Sequence, residues 1–115
     1  MLAGIYNFTC EQGSTFNRVI TVFEPDGETP YDLTGYTARM QVRRETEEGT
    51  VLVELTTANG RIALGGAAGT ITLSLTAATT AGITDDGVYD LEIVSGANVH
   101  KVLKGLFRLD YEVTR

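Results

Sequence analysis

Apolar and polar residues alternate with a period of two along most of the chain, the pattern of strands with one buried and one wet face. The last third shows it best. From Gly87 to Arg115 the chain reads GVYDLEIVSGANVHKVLKGLFRLDYEVTR. Tyr89, Leu91 and Ile93 fall on one face, with Asp90 and Glu92 on the other. In the second half Leu103, Phe107, Leu109, Tyr111 and Val113 share a face, while Lys104, Arg108, Asp110 and Glu112 look away. Ser95-Gly96-Ala97-Asn98 lies between them and tolerates turn angles, so a long hairpin is predicted.

Upstream the same rhythm recurs in shorter pieces. Tyr6, Phe8 and Cys10 share one side of a segment that Gln12-Gly13-Ser14 breaks. Thr15 to Glu24 is rich in β-branched and aromatic residues. Phe16, Ile20 and Val22 share a face there with Arg18, and Val19 and Phe23 lie opposite, which predicts cover on both faces for part of its length. Glu24-Pro25-Asp26-Gly27 is a turn signal, and Leu33 is expected to plug the core. Tyr36 to Arg43 alternates most cleanly: Tyr36, Ala38, Met40 and Val42 in, Thr37, Arg39, Gln41 and Arg43 out. Arg44 to Thr50 reads as an exposed hairpin tip, after which Val51, Val53 and Leu55 resume. Asn59-Gly60 predicts a two-residue hairpin to a strand at Arg61 to Leu64. After the Gly65 to Gly69 break, Ile71, Leu73 and Leu75 alternate with Thr70, Thr72 and Ser74. Thr76 to Ile83 is the one helix candidate, a single turn capped by Thr76 and ended by Gly82. About eight short strands with at most one helical turn predict an all-β antiparallel β-sandwich or barrel.

Composition narrows the function classes. At 115 residues the chain suits one domain, 1–115, with one core. The formal charge of −6 opposes nucleic acid and anionic membrane as partners. No apolar run is long enough to span a bilayer, and the N-terminus has no basic region or long apolar stretch of a secretory signal. The single cysteine, Cys10, has no internal disulfide partner, consistent with synthesis in a cytosol.

Catalytic chemistry finds no constellation. With one histidine and one cysteine, spacing defines neither a zinc cluster nor a Cys–His pair. His100 reads as a solvated residue beside a turn and Cys10 as a small buried filler. Asp26, Asp85 and Asp86 lack EF-hand spacing and sit at good turn positions. Gly65, Gly66 and Gly69 lack the lysine and hydroxyl of a phosphate loop. Glu45, Glu47 and Glu48 read as a solvated tip rather than paired catalytic carboxylates. The expectation is a non-enzyme without cofactor or metal. Arg39, Arg43, Arg44 and Arg61 could line one outer strand face that meets an acidic partner.

Several stretches resemble small virion proteins of tailed bacteriophages: YDLTGYTARMQVR (Tyr31 to Arg43), EQG-TF (Glu11 to Phe16), GTITLSLTAATTAGI (Gly69 to Ile83) and the ending from Gly87 to Arg115. The chain is also similar to the N-terminal β-sandwich of phage baseplate upper proteins, which join receptor-binding parts to the tail. The likeness covers nearly the whole chain, through fold and turn motifs that specify no active site. It implies an immunoglobulin-like β-sandwich assembled in many copies in the virion, made in the host bacterial cytoplasm, with other virion proteins as partners. A tail, baseplate or fibre adaptor is the expected role. A capsid decoration or cement protein, or a head–tail connector, is the alternative. A carbohydrate-binding module would need an exposed aromatic platform, whereas Tyr31, Tyr36, Tyr89 and Tyr111 mostly read as core or sheet residues. Baseplate upper proteins carry further domains, so this chain would act as a stand-alone subunit.

Open sandwich edges can add to a neighbour's sheet. The residues expected to meet partners are therefore an N-terminal arm, Met1, Leu2, Ala3, Gly4 and Ile5, with Arg39, Arg43, Arg44, Glu47 and Glu48 around the RETEEGT tip.

Overall fold

A computed structural model describes residues 4–44 and 49–114. Among them the strands are β1 (Gly4–Ile5), β2 (Phe8–Glu11), β3 (Phe16–Thr21), β4 (Thr37–Arg43), β5 (Val51–Thr56), β6 (Ile62–Leu64), β7 (Thr70–Leu75), β8 (Gly87–Ser95) and β9 (Asn98–Asp110). A 3-10 turn spans Gly66–Ala68 and a short helix, α1, spans Ala77–Ala81. One sheet runs β1-β9-β8-β4-β5, with β2 also on β9; the other runs β3-β7-β6. Taking β3, β7 and β6 as B, E and D, and β9, β8, β4 and β5 as G, F, C and C′, this is the strand order of an immunoglobulin-type sandwich. The fold is all-β, as the alternation predicts.

The inward faces are those read from the sequence. Ala38, Met40 and Val42, then Ile71, Leu73 and Leu75, then Tyr89, Leu91 and Ile93 are all buried, and Leu33 plugs the core. Phe8, Phe16, Tyr89 and Phe107 knit the sheets together: Phe16 of one sheet lies 5.6 Å from Phe107 and 5.9 Å from Phe8 of the other. Thr76 caps α1, its hydroxyl accepting the Thr79 N–H, and Gly82 follows the last turn.

Four expectations are corrected. Asn59-Gly60 is a tight turn with Gly60 at φ 80°, but it crosses between sheets instead of making a hairpin. β5 pairs with β4 and β6 with β7, because each apolar face is then covered by the opposite layer. The N-terminal strands run parallel to β9, so one ladder departs from antiparallel pairing. Val19 and Phe23 are 63% and 47% exposed, so β3 is covered on one face only. Tyr111 and Val113 are 56% and 92% exposed, because β9 ends at Asp110 and the Glu112 N–H turns to the Gln12 side chain at 2.9 Å.

A bulge adjusts the long hairpin. Leu91 pairs with Leu103 and Glu92 with Lys101, leaving Val102 as the extra residue. Val102 is thereby buried, and Leu103 packs against the core as well.

Candidate functional site

The outer face of the six-stranded sheet collects the charged side chains. Arg39 and Arg43 alternate outward on β4. Across the β4–β8–β9 ladders the rows are Arg39, Glu92 and Lys101, then Gln41, Asp90 and Lys104, then Arg43, Val88 and Leu106. Arg39 donates to Glu92 at 2.8 Å and Lys101 pairs with Asp90 at 3.2 Å. Arg43 donates to the Gln41 side chain at 2.7 Å and to the Gly49 carbonyl at 3.0 Å. Such exposed pairs fix side-chain positions more than they stabilise, each being worth about 0–1 kcal/mol.

Beside this array lies an open groove of about 580 Å³. Ile5, Val88 and Leu106 supply its apolar surface, and Arg43, Asp90 and Lys104 are among its polar walls. Ile5 is 77% exposed and Leu106 is also exposed. Lys104 and Arg108 make no ion pair among the described residues, so free positive charge concentrates on β9. The groove thus offers aliphatic surface edged by cations, a surface suited to a protein partner with acidic and apolar groups.

The predicted contact residues are only partly brought together. Met1, Leu2, Ala3, Glu47 and Glu48 lie outside the described residues. Gly4 and Ile5 form β1, paired with Leu103 and Lys104, so this part of the expected arm is a sheet edge. Arg44 reaches Asp85 at 2.9 Å, away from the array. Arg61 directly precedes β6 of the other sheet and donates to the Glu54 carbonyl at 3.0 Å, so the four arginines share no single face. Asp90, Lys101, Lys104 and Leu106 are among the groove residues that sequence reasoning passed over. Their outward parity was legible, but their meeting depends on the β8–β9 register.

The junction of β1 and β2 is built on one glycine. A side chain at Gly105 would collide with the Tyr6 backbone. That close approach lets the Tyr89 hydroxyl donate to the Tyr6 carbonyl at 2.6 Å, and burial raises the Tyr89 pKa above its ordinary value. The Asn7 side chain accepts the Leu106 N–H at 3.0 Å where the parallel ladder breaks.

The other candidate groups serve the fold. Cys10 is fully buried, and burial pushes its thiol up to about 11, which makes it a poor nucleophile at neutral pH. Asp26 accepts from the Glu28 and Thr29 N–H groups and from the Thr29 hydroxyl, which hold its pKa low. Asp86 accepts the Leu109 N–H at 2.7 Å. His100 sits within β9, opposite Ile93, and is half-buried. Tyr31 and Tyr36 are half-buried with their hydroxyls 3.1 Å apart, whereas Tyr6 and Tyr111 are exposed. Among the described residues no helix is long and apolar enough to cross a membrane. No protein-family model matches the chain, and no curated protein matches it.

Proposed function

We propose that this chain is a non-enzymatic structural protein of a tailed-bacteriophage virion, made in the bacterial cytoplasm and present there in many copies. Its role is a tail, baseplate or fibre adaptor that joins neighbouring virion proteins. The resemblance of Tyr31 to Arg43 and of the closing hairpin to virion proteins supports the origin. The observation that carries the adaptor role is the outer face of the six-stranded sheet. Arg39 and Lys101 are paired there with Glu92 and Asp90, while a groove with aliphatic surface, edged by Lys104, is left open beside β1.

The N-terminal contact is then a contact through a sheet edge. Deleting Met1 to Ile5 removes β1 but leaves β2 on β9, so the protein folds and assembly is lost; normal incorporation of the truncated protein would refute this contact. A cryo-EM map of the intact particle tests the role as a whole. Density for the sandwich at the tail tip, collar or fibre base fits the adaptor. Density on the capsid lattice reassigns it to decoration, and absence from the particle overturns a virion role.

A further inference from the structure

Edge strands carry unpaired N–H and C=O groups, so they decide what a sandwich can join. The edges of this one differ. On β5 the turn folds back: Asn59 accepts the Thr56 N–H, and Asn59 and Arg61 both donate to the Glu54 carbonyl. β6 has three residues. β1 and β2 are separated at Tyr6–Asn7, and the Thr9 carbonyl is taken by Arg18 at 3.0 Å. β3 is six residues long and unbroken.

Hydrogen-bond parity shows which groups of β3 are open. The Ser74 N–H bonds to the Arg61 carbonyl, so β7 turns its even-numbered residues to β6. The Val22 N–H bonds to the Gly69 carbonyl, so the odd-numbered ones serve β3. Their partners are Phe16, Arg18 and Ile20. The main-chain groups of Asn17, Val19 and Thr21 therefore face away from β7. Of these, the Asn17 carbonyl accepts from the Arg18 guanidinium at 2.8 Å, and no side chain among the described residues caps Val19 or Thr21.

On the two strands next to this edge, β3 and β7, the outer face carries no charge. Asn17, Val19 and Thr21 stand beside Ser74, Thr72 and Thr70. In a chain of net charge −6, two copies approach with least repulsion along such a face. We propose that a second copy of this chain docks on β3, antiparallel and about a two-fold axis at Val19, fusing the two three-stranded sheets into one of six strands. That register sets Asn17 against Thr21, Arg18 against Ile20 and Val19 against itself, with no like charges opposed. The Asn17 carbonyl keeps a second lone pair, so Arg18 stays in place. The inference rests on the ladder alone and holds whether or not the chain belongs to a virion. An edge contact buries less than the roughly 1,200 Å² of a stable interface, so the dimer is weak and reversible.

Cross-linking tests it. Directly opposed residues of a hydrogen-bonded antiparallel pair have Cα atoms about 5.5 Å apart, within the span of a short thiol-to-thiol cross-linker. Val19→Cys should form covalent dimer with a thiol-to-thiol reagent spanning about 5 Å. Thr72→Cys, on the same face but one strand inward and roughly 15 Å from its copy, should not. Sedimentation equilibrium of the wild type should show dimer rising with concentration up to about 1 mM. Val19→Lys keeps the fold, opposes two cations at the axis and should cut association at least about ten-fold, with partial recovery in high salt. Three results would overturn the proposal: equal cross-linking of the two cysteine variants, association unchanged by Val19→Lys, or a strictly monomeric wild type. None of them bears on whether the chain is found in a particle.

Discussion

Thr80 is the one fully buried polar side chain in the described core, and its hydroxyl joins α1 to the Gly13–Ser14 turn. It donates to the Ser14 carbonyl at 2.8 Å, with the Ala77 carbonyl at 3.1 Å as its other acceptor, and accepts the Gly13 N–H at 3.0 Å. Replacing it by valine keeps the branched shape and removes both bonds. The lost donor bond is worth about 1 kcal/mol, and Ser14 is exposed, so water can satisfy its carbonyl. The orphaned Gly13 N–H costs a further 1–3 kcal/mol or so, toward the low end because Gly13 is half-buried. Thr80→Val should therefore destabilise by about 2 kcal/mol. With an unfolding entropy near 2.1 cal/mol/K per residue, 115 residues give roughly 0.24 kcal/mol/K, so Tm should fall by about 8 °C. Thr80→Ser keeps the hydroxyl and loses one buried methyl, at a cost of about 1 kcal/mol. Thermal melts of both variants, with amide exchange at Gly13, measure this directly. A valine variant within about 0.5 kcal/mol of wild type, or a serine variant equally damaged, would refute the reasoning.

Phe107→Ala removes a fully buried ring that packs across the sandwich on Phe16; a loss of about 3–5 kcal/mol is expected in urea unfolding. Gly105→Ala forces the Tyr6 backbone off β9 and breaks the Tyr89–Tyr6 bond. It should cost more than about 1 kcal/mol and speed amide exchange at Tyr6, and unchanged exchange would contradict the close approach. The Cys10 thiol should resist alkylation at pH 8 until denaturant is added. Because its native pKa is raised to about 11, its contribution to stability is fully present below its ordinary value near 9 and is lost as pH rises toward 11. Thiolate absorbance appearing in the native protein below pH 9 would argue against that burial.

Period-two alternation is a local property of the chain, and for most strands it determined by itself which side chains face the core. Met40 and Val42, Leu73 and Leu75, and Leu91 and Ile93 were all assignable before any strand had a partner. The Thr76 cap was equally local, since capping depends on residues a few positions apart. Pairing is different, because every residue offers the same N–H and C=O whatever its side chain. Only the tertiary structure decided that β1 and β2 run parallel to β9, that Asn59-Gly60 crosses between layers, and that Val102 is squeezed out of register. The same holds for the candidate surfaces. The outward parity of Asp90, Lys104 and Leu106 was readable, but their assembly into a groove beside Ile5 depends on strands about a hundred residues apart meeting on β9. The open edge at β3 likewise exists because nothing in the described chain pairs with its far side, a property of the whole sheet that no stretch of sequence contains.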